Sequence, residues 1–421
     1  MKSYNNHRSE EILIFSFFMT LFLVHEIPIL GFRYPSLAYA VLVSVLFIFL
    51  FLFTPKKLFK LLFPIIIVNI VDLVYSIIDS HSNLINSLIE VSEILQILIY
   101  PYAFYYIIRT RNRPLLYYFF ILLLLTIITT IITTNIGCYK YPGIIRSVVG
   151  FGKESPQYFI SLINNIGGFD FIYSLVLYTP IFIFFFKYKN KLRYSMMIGV
   201  LSFLTVLVIG QTLLYAEFSL AIVFYILSLI LFFMPRILMF KKFLLIISFA
   251  VVSFFIMRPV IVEGLINISE KIESSAVSGR IYDLSISLQG EEVDDKSDIN
   301  SRMERYQKSI DGFIQNPLGI WDHYDSAGGH SFILDTIAEY GVLGVFLLAI
   351  MFFSIFRNFV LPYKNKTFYG YILFPFGVSV LLALLNPHVY FDFFTFFTPL
   401  CFYVYTKQRD YKLQKKASKM K

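Results

Sequence analysis

Apolar residues along this chain run together in long stretches separated by short polar joints. A stretch of about 20 such residues crosses a bilayer as a helix, and stretches of that length occupy almost the whole sequence. Twelve spans are expected, near 12–30, 36–53, 61–78, 84–107, 115–134, 168–186, 195–212, 213–234, 243–260, 332–356, 367–386 and 389–406. The fold class that follows is an all-α polytopic membrane protein.

The polar joints test that count independently. With the N-terminus inside, the inside joints collect Lys2, Arg8 and the clusters at 56–60, 109–113, 187–193, 236–242, 357–366 and 407–421. Together these hold 25 of the 36 basic residues. Of the remaining eleven, nine fall in two longer outside loops, Arg258 lies at the outer end of the ninth span, and the short outside joints contribute only Arg33. Short joints rich in Lys and Arg stay cytoplasmic, so both termini are expected inside. The chain then parses into spans 1 to 9 over 1–258, with a short external loop at 135–167. A long external loop follows at 259–331, then spans 10 to 12 over 332–406 and a basic cytoplasmic tail at 407–421.

Composition narrows the function classes. Hydrophobic residues make up 57% of the chain and charged ones 15%, against about 25% charged in a soluble domain. A water-soluble enzyme, a nucleic-acid-binding domain and a disordered chain are excluded. The net charge of +9 is an orientation signal, although the tail can also touch anionic headgroups. The first apolar run lacks a small-residue cleavage site and reads as a retained span. Cys138 and Cys401 are too few for a disulfide framework and read as small apolar packing residues. Inside joints are too short for a nucleotide-binding domain, and no Gly-rich phosphate loop ending in Lys-Ser/Thr occurs, so nucleotide-driven chemistry on that side is not expected. Within the spans Glu26, Asp72, Glu90, Glu93, Glu217 and Asp392 are costly in lipid and so are functional candidates by default.

Two external segments remain to carry chemistry. The loop at 135–167 offers Lys140, Arg146 and Lys153. The loop at 259–331 begins with an amphipathic stretch from Val260 to Ile272, then an acidic run at 289–298 whose spacing does not match a Ca²⁺-binding loop. Its second half is richer. Ser301 and Glu304 form a capping box, which predicts a helix start. Met303, Tyr306, Ile310, Phe313 and Ile314 then share one apolar face, expected to rest on the membrane domain, and Asn316-Pro317 ends the helix. At about 100° per residue, Arg302 lies about 70° and Arg305 about 130° from the centre of that face. Arg302, Arg305 and Ser309 thus form one polar edge, suited to bidentate phosphate binding.

His330 follows in a Gly-rich loop where the chain re-enters the membrane. An imidazole exchanges its proton near neutral pH, as a general base for a sugar hydroxyl must. Asp335 and Glu339, four residues apart on one helix face, are placed to orient it or cap local amides. Metal-ligand spacing is absent from the sequence, and no cofactor is expected.

This half of the loop resembles the O-antigen and capsular polysaccharide polymerases of the Wzy type and the related O-antigen ligases. About forty-five contiguous residues carry the likeness. Ser301-Arg302-Met-Glu-Arg-Tyr306 is similar to the family's Arg-leading amphipathic helix, and Asn316-Pro317-Leu318-Gly319 to its Asn/His-Pro-Leu-Gly turn. His330-Ser331-Phe332 looks like its His-Asn/Ser-aromatic element, and Glu339-Tyr-Gly341-Val-Leu-Gly344 like its Glu-x-Gly start of a span. Two departures stand out. Where relatives carry a Ser-Arg pair at the outer end of a span, this chain reads Gly210-Gln211-Thr212, leaving Arg146, Arg258 or Arg280 to supply that charge. After Gly319 the chain continues Ile320-Trp321, where relatives tend to have another Gly.

The resemblance implies a glycosyltransferase of the bacterial plasma membrane acting on glycans linked to undecaprenyl diphosphate, inverting at the anomeric carbon and needing no metal. It implies His330 as base, Arg302 and Arg305 as diphosphate clamp, and a flippase and a chain-length regulator of the same pathway as partners. Polymerase is the leading reading. An O-antigen ligase, a transporter or lipid-linked oligosaccharide flippase, and another membrane glycosyltransferase remain as alternatives. A transporter would be expected to show repeated halves and broken helices, and neither is evident in the sequence.

Overall fold

The computed structural model describes residues 113–146, 155–191, 195–233, 298–320, 328–364, 367–387 and 397–418, with scattered positions at 63–71 and 259–286 and Phe393. Helix accounts for 87% of the described residues, and no strand occurs among them. In chain order the α-helices are α1 (Arg113–Lys140), α2 (Pro156–Ile163), α3 (Phe169–Lys187), α4 (Ser195–Ala216) and α5 (Ser219–Phe233). They continue with α6 (Asp298–Gln315), α7 (Phe332–Ile355), α8 (Gly370–Leu385) and α9 (Thr398–Ser418).

Among the described residues, four helical stretches are long and apolar enough to cross a membrane: Phe120–Lys140, Phe169–Lys187, Met196–Ala216 and Phe332–Tyr363. They coincide with the expected spans near 115–134, 168–186, 195–212 and 332–356. Ser219–Ile230 in α5 and the whole of α8 are shorter apolar helices. The expected spans near 12–30, 36–53 and 84–107 lie outside the described residues, as do 243–260 apart from Pro259, most of 61–78, and 389–396 of the last span apart from Phe393.

Element ends differ from expectation in three places. α1 runs on to Lys140: Thr126 donates to the Leu122 carbonyl at 3.0 Å within the helix, while Thr133 reaches out to the Asn165 carbonyl at 2.7 Å. The joint between α4 and α5 falls at Glu217 and Phe218 rather than after Thr212, and Glu217 turns the chain with a φ of +59°. α9 continues through the basic tail to Ser418, whose Lys, Gln and Arg residues are good helix formers.

The chain divides into two compact units. The first comprises Met1–Ser228, Leu347–Leu381 and Val389–Lys421. In it α4 packs against both α3 and α1, and α3 is buried along most of its length from Ile172 to Phe185. Near the end of α3 the fully buried Phe184 meets Phe368, Tyr371, Phe402 and Tyr405 edge-on, with centroids 4.8 to 6.0 Å apart. Each such pair contributes about 0.5–1.5 kcal/mol beyond its buried area. Cys138 and Cys401 are free thiols packed in this interior.

The second unit comprises Leu229–Phe346 and Leu382–His388. It holds α6, the first half of α7 and the end of α8, and with them most of the expected site.

Candidate functional site

α6 begins at Asp298, so Ser301 lies inside the helix and not at its cap. The far end is as expected. Asn316 N–H still reaches the Gly312 carbonyl at 3.0 Å, and Gly319 N–H closes a turn on the Asn316 carbonyl at 2.9 Å. Gly319 takes a φ of +92° there.

The seating of α6 corrects the sequence reading. Met303 and Ile314, expected to be covered, are 62% and 65% exposed, whereas Ser309 from the polar edge is 1% exposed. Hydrogen bonding decides the matter. The Ser309 hydroxyl donates to Asp335 Oδ1 at 2.6 Å and accepts from Gly328 N–H at 2.9 Å. The approach is close enough that a Cβ on Gly328 would collide with the Arg305 carbonyl. Two buried polar groups are thus satisfied by one short side chain, and leaving either unsatisfied costs about 1–3 kcal/mol.

Asp335 extends the clasp. Its other oxygen accepts from Ser331 N–H at 2.9 Å, while Ser331 Oγ accepts from Leu334 N–H at 3.1 Å. This is the capping arrangement at the start of α7, with the acid one residue later than the usual box. Phe332 N–H finds the Asn386 carbonyl at the end of α8, 3.0 Å away.

His330 immediately precedes that cap. Its Nδ1 lies 3.4 Å from Arg305 Nη1 and 3.1 Å from the Gly329 carbonyl. A neutral ring nitrogen either accepts or donates. Accepting from Arg305 places the proton on Nε2; donating to Gly329 leaves the lone pair there.

Arg302, one turn back on α6, hydrogen-bonds the Tyr306 hydroxyl, which itself donates to the Leu385 carbonyl at 2.8 Å. Burial pushes the Tyr306 phenol above its ordinary range, with the Arg302 charge pulling it down and Asp335 pushing it up. The phenol therefore remains a donor at physiological pH.

α7 breaks at Gly341, where φ is 60° and ψ −139°. The Pro317 carbonyl and the Gly319 nitrogen press on this glycine, leaving no room for a Cβ. Val342 N–H, just past the break, donates to the Pro317 carbonyl at 2.8 Å. Gly319 in turn backs onto the Glu339 carbonyl, 2.5 Å from where its own Cβ would stand. Glu339 is buried beside this junction, as Asp335 is within the clasp.

Arg302, Arg305, His330 and Asp335 are therefore brought together. Arg146 belongs to the first unit. Its Nη2 donates to the Glu217 carbonyl and its guanidinium lies 5.2 Å from the Phe218 ring centroid. Its Nε and Nη1 are buried without a hydrogen-bond partner among the described residues. This sets a guanidinium at the end of α4, just beyond Gly210-Gln211-Thr212. Thr212 is itself buried, donating to the Val208 carbonyl at 2.7 Å and accepting from Asn135 at 3.2 Å. Arg258, Arg280, Asp72 and His323 lie outside the described residues.

Sequence reasoning missed the polar role of Tyr306 and the position of the cap. Ser331 and Asp335 at the head of an apolar run were the available signal for the latter. Nothing in the sequence pairs Arg146 with Glu217, 71 residues away. Compared with protein-family models, curated proteins and solved structures, the chain matches none.

Proposed function

We propose that this protein polymerises oligosaccharide repeat units linked to undecaprenyl diphosphate, at the external face of a bacterial plasma membrane. The observation that carries the reading is the pairing of Arg305 with His330, with Arg302 on the same helix and the whole group held by the Ser309–Asp335–Ser331 clasp. A base and two cations are what the reaction needs, and the likeness of residues 300–344 to the Wzy-type polymerases supplies the substrate class.

The growing chain sits on one carrier and the acceptor hydroxyl on the non-reducing end of another unit. The hydroxyl oxygen attacks the anomeric carbon, the bond from that carbon to the diphosphate oxygen breaks, and the configuration inverts. The acceptor proton passes to His330 Nε2, with Nδ1–H held by the Gly329 carbonyl. Undecaprenyl diphosphate leaves with its new charge against Arg302 and Arg305. Preorganised cations aimed at the departing oxygen stabilise such charge without reorganising, and the positioned base contributes about 10²–10⁴-fold. The diphosphate ester supplies the driving energy.

A strain lacking this gene gives the test. In a lipopolysaccharide-bearing host, surface polysaccharide is expected to collapse from a ladder to core plus one repeat unit. Loss of every attached repeat would overturn polymerase in favour of ligase if long lipid-linked polymer accumulates, or of flippase if single units do. His330→Ala and Arg302→Ala should each abolish polymer with the protein inserted at normal abundance, and full activity in either would remove that residue from the site.

A further inference from the structure

The side of α6 turned from the clasp carries Met303, Ile310 and Ile314, and the turn after it carries Leu318, the most exposed of the four at 81%. Met303 and Ile314 are eleven residues apart, close to three whole turns, so the stripe runs straight along the helix for about 16 Å. A straight stripe puts all its residues at one depth only when the helix axis is parallel to the surface it meets.

The turn fixes where that surface is. Pro317 is bonded to Val342, and the Leu318 backbone packs on Gly341. Val342 and Leu343, directly beyond the break, belong to a helix of membrane-crossing length and are themselves exposed, as are Val345 and Phe346. The stripe on α6 is therefore continuous, through Leu318, with the apolar outside of a candidate span. Beyond Met303, which borders it, the neighbouring flank of α6 opens into a groove lined mostly by polar residues, among them Glu304, Lys308 and Asp311.

We propose that α6 lies flat in the outer membrane–water interface, with Met303, Ile310 and Ile314 seated in lipid at the boundary between headgroups and acyl chains. Helices of this amphipathic kind sink about 5–10 Å into that boundary. The inference rests on α7 as a membrane span and not on the polymerase reading. If that reading holds as well, Arg302 stands on the flank of α6, at headgroup depth where the diphosphate of a lipid carrier resides, and Arg305 on the side turned from the lipid.

The test uses the full chain in liposomes, with Met303→Cys, Ile314→Cys and, as control about 140° round the helix from the stripe, Lys308→Cys made singly after Cys138→Ala and Cys401→Ala. Each new thiol carries a fluorescent label, quenched either by lipids brominated near the headgroup end of the acyl chain or by aqueous iodide. Positions 303 and 314 are expected to show equal lipid quenching, about threefold or more above position 308, with iodide giving the reverse order. Iodide reaching all three equally would overturn the proposal. So would lipid quenching at 314 alone, which would stand the helix upright. Protection of 303 and 314 from both quenchers would assign the stripe to a protein partner and overturn it too.

Discussion

At the scale of single residues, the polar side chains of α6 do more to fix the site than its apolar ones. Tyr306 shows this most directly, because its ring falls on the stripe that periodicity marks as apolar while its hydroxyl joins Arg302 to the end of α8. Its pKa is raised in the folded protein by burial, from an ordinary value of 10.0. The unfolded chain then loses that proton first. The stabilisation is fully present below about pH 10 and is lost as pH rises further. Tyr306→Phe, which leaves the Leu385 carbonyl without its donor, should lower stability by about 1–3 kcal/mol near neutral pH and flatten the alkaline fall. Thermal unfolding in detergent between pH 7 and 11 measures both, and an unchanged alkaline fall would take Tyr306 out of that linkage. Arg302, Arg305 and His330 were legible in the sequence as residue types suited to the chemistry. Their convergence was not, since the Ser309–Asp335 bond that seats the helix spans 26 residues and leaves no periodic trace.

At the scale of elements, helix ends marked by residues that cannot continue a helix were readable, and those marked by caps were less so. Asn316-Pro317 stops α6 because proline has no N–H to donate. Ser301 and Glu304 have the spacing of a capping box and lie within a helix all the same, while the cap that operates belongs to Ser331 and Asp335. The break in α7 was readable only as a glycine. It matters because Gly341 holds backbone angles open almost solely to glycine, and because the turn at 316–319 fills the space a side chain would need. Gly341→Ala should therefore cost about 1–3 kcal/mol in backbone strain alone, with the clash against Pro317 added. A fall in the thermal midpoint together with loss of polymer is expected, and a variant of ordinary stability and activity would show that the junction is not rigid.

For the whole molecule, hydropathy located spans but not the faces they present. In a soluble protein an apolar stripe marks the interior; in a membrane the surroundings are as apolar as the core, so the same periodicity marks either. That is why the α6 stripe was assigned to protein contact and lies exposed. Orientation, by contrast, is an expectation from the joints, since 25 of 36 basic residues fall on one side of the twelve-span reading. Alkaline phosphatase inserted at 287–297 should be active and the same enzyme fused after Ser418 inactive, and the opposite pair would invert the topology. One feature of the site also sets an order in time. His330 Nδ1 cannot serve Arg305 and Gly329 together, and only the second arrangement readies Nε2 to take a proton. In the proposed reaction a diphosphate that draws Arg305 away frees Nδ1 for Gly329. The donor lipid then arms the base by arriving, and an acceptor that arrives first waits beside an imidazole that cannot yet react.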